Sequence, residues 1–167
     1  MLYLKEANLN DIEKEFDFIT NTPENEKGFT NSHYGCTRED FEKNILPGYI
    51  KASKGIDLPD GFVPETEYFL WDDNQIVGLF RIRHYLNDFL ENGAGHIGYG
   101  IRKEYRGKGY ATEGLKMIIE KAWAIIPEKE IYMSVHKDNP ASLKVQMKNG
   151  AYIHHEDDKE FYTRIKR

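Results

Sequence analysis

The residues with the clearest chemical potential form a glycine-rich turn, Arg106-Gly107-Lys108-Gly109-Tyr110-Ala111, which leads into a periodic helix. Such a turn exposes backbone N–H groups at the helix N-terminus, where the helix dipole also favours negative charge. Glycine permits the backbone angles that a tight turn needs, and the arginine and lysine add positive charge. The segment therefore predicts an anion site, with phosphate as the expected ligand.

The strand before this turn has one nearly bare face. Ile97, Tyr99 and Ile101 alternate with Gly98 and Gly100, and alternate residues of a strand point to opposite faces. Glycine weakens a strand interior, so two alternate glycines indicate that another molecule approaches the backbone closely. We expect one extended phosphate ligand along both the strand and the turn.

Two common nucleotide motifs do not fit. A P-loop has a longer spacer before its Gly-Lys pair and a hydroxyl residue after the lysine, which Gly107-Lys108-Gly109 lacks. The dinucleotide fingerprint occurs literally in residues 93–98, but it leads into a strand, whereas a functional one follows a strand and opens a helix. We interpret that match as accidental.

Two further features carry a family resemblance. Arg106-x-x-Gly109-x-Ala111 matches a Gln/Arg-x-x-Gly-x-Gly/Ala signature, and the downstream Asn139-Pro140-Ala141-Ser142 and Lys148-Asn149-Gly150 match an Asn-x-x-Ser…Lys-x-Gly segment. Over about residues 65–155 the chain thus resembles the GNAT superfamily of acetyl-CoA-dependent N-acetyltransferases. Residues 83–87 and 96–99 resemble a branch of predicted bacterial acetyltransferases within it.

The resemblance implies an acyltransferase that moves an acetyl group from acetyl-CoA to a primary amine of a small molecule or peptide. The amine attacks the thioester directly, without an acyl-enzyme and without a metal. Backbone N–H groups are implied to hold the pyrophosphate, and strand edges the pantetheine arm. The implied cofactor-binding positions are Gly100, Ile101, Arg102, Arg106, Gly107, Lys108, Gly109, Tyr110, Ala111, Thr112, Asn139 and Ser142.

Acetyl transfer needs oxyanion support and a proton acceptor. The resemblance implies that the oxyanion donor is a backbone N–H of the glycine-bearing strand, in the segment from Tyr99 to Ile101. His96 is our candidate base, because it replaces the glutamate that often opens the strand in the family and by alternation shares the face of the glycines. The other interpretation is a half-buried histidine bonded to a loop, and His84 and Glu67 are weaker contenders.

The proton donor for the leaving thiolate is less well defined by the sequence. Gln146 stands where many members of the family place a tyrosine, and an amide cannot donate as an acid. Ser142 is the candidate left, either bonded to the sulfur or holding the cofactor. Asn139 and Ser142 could equally cap the helix that they open. A non-catalytic acyl-CoA-binding protein and an acyl group other than acetyl both stay open.

Two other features of the sequence contain reactive or metal-ligating residue types, but neither predicts a functional site. The single cysteine, Cys36, is interpreted as packing. The run from His154 to Asp158 contains metal-ligating residue types, but consecutive residues of an extended chain point in opposite directions, so we expect a solvated turn there and no metal.

Composition agrees with this interpretation. With 23 basic and 28 acidic residues the net charge is −5, which argues against a nucleic-acid partner and mildly favours a cationic substrate. There is no long apolar run, and the N-terminus does not resemble a signal peptide, so we expect a cytoplasmic protein with no membrane partner. A homodimer is compatible with the resemblance.

The order of predicted elements indicates how these residues are positioned. We expect one N-acetyltransferase domain over residues 1–167, of the α+β (mixed α/β) class, with a central, mostly antiparallel mixed sheet flanked by helices. A strand (2–6) and a helix after Asn10 open the chain, followed by a loop over 21–35 and a helix capped by Thr37 that is interrupted at Pro47-Gly48. A hairpin, a long loop (84–95), the glycine-bearing strand, the helix, and three further strands with one short helix complete the domain.

Overall fold

The computed structural model describes the whole chain, Met1–Arg167. Its strands are β1 (Leu2–Glu6), β2 (Asn25–Glu26), β3 (Phe29–Thr30), β4 (Glu65–Asp72), β5 (Gln75–Arg83), β6 (Ile97–Ile101), β7 (Glu130–His136), β8 (Tyr152–Glu156) and β9 (Glu160–Lys166). Its helices are α1 (Ile12–Asn21), α2 (Arg38–Asp40), α3 (Leu46–Ser53), α4 (Asp88–Glu91), α5 (Tyr110–Ile125) and α6 (Pro140–Lys148). The predicted α+β class is confirmed.

The strands form two main sheets rather than the one central sheet expected. Their orders are β1-β4-β5-β6 and β7-β9-β8, and every ladder is antiparallel. The sheets meet at an isolated bridge between Gly95 and Met133, supported by a 2.7 Å bond from the His96 N–H to the Tyr132 carbonyl. Beyond this junction β6 and β7 form no ladder, which leaves a groove between them.

Gly95 makes that junction possible. Its φ is +69°, a conformation that favours glycine, and a Cβ on it would overlap the Tyr132 carbonyl. On either side of α5, β6 and β7 therefore approach at one point and then diverge, and no ladder forms between them.

Helix α5 covers one face of the four-stranded sheet, as its periodicity predicts. Leu115 and Ile118 are fully buried there with Phe80 and Ile82, each such side chain contributing about 1.5–3 kcal/mol by leaving water. Gly114 brings the helix close, because a Cβ at that position would overlap the Phe80 ring. This packing fixes the N-terminus of α5 beside the end of β6.

The opposite face is covered by α1 and by the α2–α3 region. Phe18, Phe41 and Leu46 are fully buried there against Phe69 and Leu79. The predicted break at Pro47-Gly48 is wrong, because a π-helical turn over Phe41–Ile45 carries the chain from α2 into α3, with the Leu46 N–H bonded to the Phe41 carbonyl. Proline lies at the start of α3, where it is tolerated.

Three connecting segments contain more order than the sequence indicates. The expected loop 21–35 holds the β2–β3 hairpin, and the loop 84–95 holds α4. The expected turn at 154–158 instead continues β8 through Glu156. No helix combines the length and apolar character needed to cross a bilayer.

Candidate active site

The glycine-rich turn forms the start of α5 with two residues in the left-handed region. Gly107 has φ +78° and Gly109, the helix N-cap, has φ +83°. The first bond of the helix runs from the Glu113 N–H to the Gly109 carbonyl, and the backbone N–H groups of residues 107–112 have no acceptor within the chain. Six consecutive free donors at a helix N-terminus are suited to a phosphate group.

A cavity of about 420 Å³, here called the cofactor cavity, opens beside this turn. It lies between the end of β6, the start of α5 and the start of α6. Most of the predicted cofactor-binding residues line it: Gly100, Ile101, Arg106, Gly107, Gly109, Tyr110, Ala111, Thr112, Asn139 and Ser142.

Two predicted cofactor-binding residues lie outside this cavity. Arg102 forms ion pairs of 3.0 Å with Asp17 and with Glu104. Lys108 is exposed, with its ammonium 5.7 Å from the centre of the Tyr105 ring. Neither side chain lines the cavity beside the turn.

Arg106 is held at the cavity wall by two interactions. Its Nε donates to the Ile101 carbonyl at 2.9 Å, and its guanidinium pairs with Glu26. Glu26 and Lys27 come from the β2–β3 hairpin and were missed by sequence reasoning, because nothing in a turn-rich segment indicates that it folds over a distant groove. Lys148, at the end of α6, also lines the cavity.

The outer edge of β6 is open along this groove. The Arg102 N–H donates to the Val77 carbonyl of β5, and successive residues of an antiparallel strand direct their backbone groups to alternate edges. The backbone groups of Tyr99 and Ile101 therefore face the groove. Such an edge can bind an extended chain through main-chain hydrogen bonds.

Tyr99 and Ser142 form a hydrogen-bonded pair at the inner end of the cofactor cavity. The Tyr99 hydroxyl lies 2.6 Å from Ser142 Oγ and 3.2 Å from the Ser142 carbonyl oxygen. The ring is fixed by stacking on Phe80, with centroids 5.4 Å apart. Burial raises the pKa of Tyr99 above its usual range, so the phenol remains protonated at neutral pH.

Asn139 caps α6, as one of the two interpretations expected. Its side-chain oxygen accepts the Ser142 N–H at 3.2 Å. The Ser142 hydroxyl makes no capping bond and is directed to Tyr99 instead. The cap thus presents the serine hydroxyl to the groove.

Two further cavities continue the groove on the other side of Tyr99. The inner acceptor cavity, about 320 Å³, shares Tyr99, Asn139 and Ser142 with the cofactor cavity. The outer acceptor cavity, about 310 Å³, shares Arg81 and Arg83 with the inner one. Neighbouring cavities thus share lining residues, and Tyr99 and Ser142 line both the cofactor cavity and the inner acceptor cavity.

His136 and Glu160 line the inner acceptor cavity. The His136 Nε2 lies 3.5 Å from a Glu160 carboxylate oxygen, and the ring is about one third exposed. It packs against Gly28 of the β2–β3 turn, where a Cβ would overlap the imidazole. An imidazole beside a carboxylate and open to a cavity can accept a proton.

The comparisons with known proteins agree with this geometry. The family model for the acetyltransferase (GNAT) domain matches residues 2–152. The protein belongs to the GNAT acetyltransferase family. No curated protein matches the chain in sequence.

Solved GNAT structures share the fold at low identity. The Campylobacter jejuni N-acetyltransferase PseH in complex with acetyl coenzyme A is 18% identical, with a TM-score of 0.63 over 100% of this chain and 99% of that one. A Streptococcus pneumoniae GNAT acetyltransferase is 20% identical, with a TM-score of 0.63 over 98% and 97%. The Vibrio cholerae spermidine N-acetyltransferase with CoA and spermine is 15% identical, with a TM-score of 0.62 over 99% and 95%.

Within this GNAT fold, the position of His96 contradicts its prediction as the base. The ring is fully buried, its Nδ1 accepts the Tyr132 N–H at 2.9 Å, and its Nε2 therefore carries the proton donated to Glu128 at 2.9 Å. It lines none of the three cavities. Burial lowers the pKa of His96 despite the neighbouring Glu128 carboxylate, so the ring is a neutral link at the sheet junction.

The alternation argument failed at His96 for a local reason. Strand β6 begins at Ile97, and the left-handed Gly95 breaks the regular strand immediately before His96. The face shared by Gly98 and Gly100 therefore does not extend to position 96.

The other sequence candidates are placed as follows. The His84 Nε2 bonds the Thr66 hydroxyl at 2.7 Å and lies outside the acceptor cavities. Glu67 lines the outer acceptor cavity, with one oxygen 2.6 Å from Arg81 Nε. Gln146 is buried, and its side-chain oxygen accepts the Thr163 hydroxyl at 2.6 Å. The phenol in the groove thus comes from Tyr99 of β6, and not from position 146.

Proposed function

We propose that this GNAT protein transfers the acetyl group of acetyl-CoA to a primary amine of a small molecule or peptide by direct attack. The observation that carries the proposal is the meeting of the cofactor cavity and the inner acceptor cavity at Tyr99 and Ser142. A donor bound on one side and an amine bound on the other would have their reacting groups side by side. Such positioning accounts for a large share of the rate acceleration in two-substrate reactions.

The residues present fit acetyl-CoA. The free N–H groups of residues 107–112 suit its pyrophosphate, and the open edge of β6 at Tyr99 and Ile101 suits its amide-containing arm. Backbone N–H groups at that edge are also free to support negative charge on the thioester oxygen. Bound acetyl-CoA supplies the activated acetyl group, and the protein supplies position and proton transfer.

Tyr99 is the proton donor in this proposal, with Ser142 as its hydrogen-bonded partner. The phenol is protonated, fixed by Phe80 and common to both cavities. His136, assisted by Glu160, is the group that removes a proton from the incoming ammonium. These roles replace His96 as base and do not require a tyrosine at position 146.

A single catalytic domain over residues 1–167, acting in the cytoplasm, completes the proposal. Both sides of the groove are built by this one chain, and its one cysteine is unpaired. A fold relative crystallised with acetyl coenzyme A, and another with CoA and spermine, support the donor and the amine chemistry.

The test is amine-dependent release of free CoA from acetyl-CoA, screened over amino acids, polyamines, aminoglycosides and peptide N-termini. We expect release with at least one class of amine. Tyr99→Phe should lower kcat by about 100-fold, the lower end of the range for general acid–base catalysis. The KM for acetyl-CoA should change less than threefold, because Phe retains the stacked ring.

Tyr152→Phe is the matched control. It removes a hydroxyl that bonds Glu130 in the other sheet, away from all three cavities. Tight acetyl-CoA binding with no release for any amine would favour the non-catalytic acyl-CoA-binding alternative. An unchanged kcat in Tyr99→Phe would remove the phenol from the mechanism.

A further inference from the structure

The acceptor cavities contain charged side chains arranged in rows across the sheet. Glu67 of β4 lies opposite Arg81 of β5, which in turn lies opposite Gly98 of β6, and in the next row Glu65 lies opposite Arg83. Neighbouring side chains on one face lie about 5 Å apart. Gly98 has no atoms within 4 Å of a Cβ position, so open space stands beside Arg81 and next to the reacting edge at Tyr99.

Arg81 is a half-buried cation with unused donors. Its Nε is bound to Glu67, but its two terminal nitrogens form no hydrogen bond within the chain and lie at the wall shared by both acceptor cavities. Burial acts to lower the pKa of Arg81, but the Glu67 and Glu65 carboxylates raise it overall, so the group stays charged. A ligand anion in the cavity would satisfy these charged donors.

Glu67 also has an unused hydrogen-bonding atom. It is only 3% exposed, and one of its carboxylate oxygens has no hydrogen-bond partner. Its other oxygen accepts a hydrogen bond from Arg81 Nε, which orients the arginine so that the terminal nitrogens face the cavity. The pair therefore leaves the terminal nitrogens of Arg81 as donors for a polar ligand.

The charge of the cavities argues against a polycationic acceptor. Three carboxylates (Glu65, Glu67 and Glu160) are matched by three cations (Lys27, Arg81 and Arg83). A polyamine would place extra positive charge beside the half-buried guanidinium groups of Arg81 and Arg83, and charges of the same sign repel each other. The weak preference for a cationic substrate drawn from the net charge of the chain does not hold locally.

We propose that the acceptor amine carries a carboxylate within a few bonds of its nitrogen, as in an amino acid, and that the terminal nitrogens of Arg81 bind this carboxylate. The carboxylate would occupy the space over Gly98, with Arg83 close by and the amine directed to Tyr99. Planar guanidinium is suited to a carboxylate through paired hydrogen bonds. Glu67 is the positioning residue of this site. The inference rests on the proposed acetyl transfer.

The test compares amines that differ only in the carboxylate. CoA release is measured with phenylalanine against phenethylamine and phenylalaninamide, tryptophan against tryptamine, and ornithine against putrescine. For at least one amino acid, we expect kcat/KM to be about 10- to 100-fold higher than for the matching amide or decarboxylated amine. This factor is the range for hydrogen bonds to charged groups.

The double variant Arg81→Gln/Glu67→Gln removes both charges of the pair and keeps the net charge of the chain. It should bring the ratio of kcat/KM for the amino acid to that for its decarboxylated partner towards one, and acetyl-CoA binding reports whether the variant is folded. A role in folding alone would not change the ratio between two acceptors. The single substitution Arg81→Lys keeps the positive charge but removes the planar guanidinium, so it should retain only part of the preference of the wild type for the amino acid.

The outcomes separate the inference from the function on which it rests. Equal or better turnover of the decarboxylated amines by the wild type, or a preference retained in the double variant, overturns the inference and leaves acetyl transfer standing. If no amine of any class releases CoA, the proposed function fails. In that case, titration of phenylalanine and of phenethylamine into the CoA-saturated protein tests the carboxylate site without turnover. If the two compounds bind equally, or if neither binds, the proposed carboxylate site is overturned.

Discussion

The two halves of the groove present different kinds of chemical groups. The cofactor cavity presents free backbone N–H groups of residues 107–112 and the open edge of β6. The acceptor cavities present charged side chains from β4, β5, β7 and β9, together with loop residues. The first half depends on where the backbone runs, and the second on which side chains meet.

This difference explains which residues tolerate change. A backbone donor is unaffected by most substitutions but is lost when the turn cannot adopt its conformation. A side-chain site can be altered by a single substitution while the fold remains. We therefore expect acetyl-CoA binding to respond mainly to the glycines, and acceptor selection to respond to individual charged residues.

The largest expected effect follows from Gly109→Val. Its φ of +83° is strained for a β-branched residue, although no atom lies within 4 Å of a Cβ there. We expect the turn to rearrange and acetyl-CoA affinity, measured by calorimetry, to fall by about 100-fold, equivalent to loss of a few charge-assisted hydrogen bonds.

Gly35→Val is the matched control for that substitution. Gly35 also has a positive φ (+75°) and open space at its Cβ, but it lies outside the cofactor cavity. It should lose stability while keeping acetyl-CoA affinity. Equal losses of affinity in both variants would mean that general destabilisation, not the N–H row, governs binding.

His96 and His136 are expected to affect different properties, stability in the first case and catalysis in the second. His96→Ala should lower the free energy of unfolding by about 2–3 kcal/mol, because it leaves the Tyr132 N–H and Glu128 without their partner. His136→Ala should leave that free energy within about 0.5 kcal/mol, as is usual for partly exposed positions, and lower kcat by about tenfold or more. Chemical denaturation and CoA release measure the two effects.

The pH dependence of stability sharpens this distinction. The folded-state pKa of His96 is lowered from 6.5 by burial, so as pH falls below 6.5 the unfolded chain takes up a proton before the folded one does. The stability contributed by the neutral ring is present above pH 6.5 and is lost as pH falls through the folded pKa. The stability gap between wild type and His96→Ala should therefore narrow from pH 7.5 to 5.5, and a constant gap would contradict the buried neutral ring.

The smallest expected effect compares the two cations of the turn. Arg106→Gln should weaken acetyl-CoA binding by about fivefold, because this partly exposed guanidinium lines the cavity, and should reduce the dependence of affinity on salt. Lys108→Gln should change affinity less than twofold, since its ammonium lies over Tyr105 outside the cavity. The reverse order would place the lysine, and not the arginine, beside the phosphate.

Most helices and strands could be predicted because their determinants are local. The alternation at 97–101 and the three-to-four spacing along α5 set those elements, and Thr37 caps α2 as expected. The continuous helix through Pro47 could not be predicted, because the π-helical turn that accommodates the proline depends on packing of Phe41 and Ile45 against the sheet. The β2–β3 hairpin likewise carries no periodic pattern.

The sequence by itself determined the donor side of this protein. Gly107 and Gly109 specify a turn whose free N–H groups suit a phosphate, and that information lies within a few consecutive residues. Only the tertiary structure decided the acceptor side. His96 left the groove because Gly95 breaks the strand before it, and Arg81, Tyr99, His136 and Ser142 meet there because two separate sheets diverge from one bridge. Contacts between residues so far apart in the chain depend on the packing of the whole domain, which no local pattern encodes.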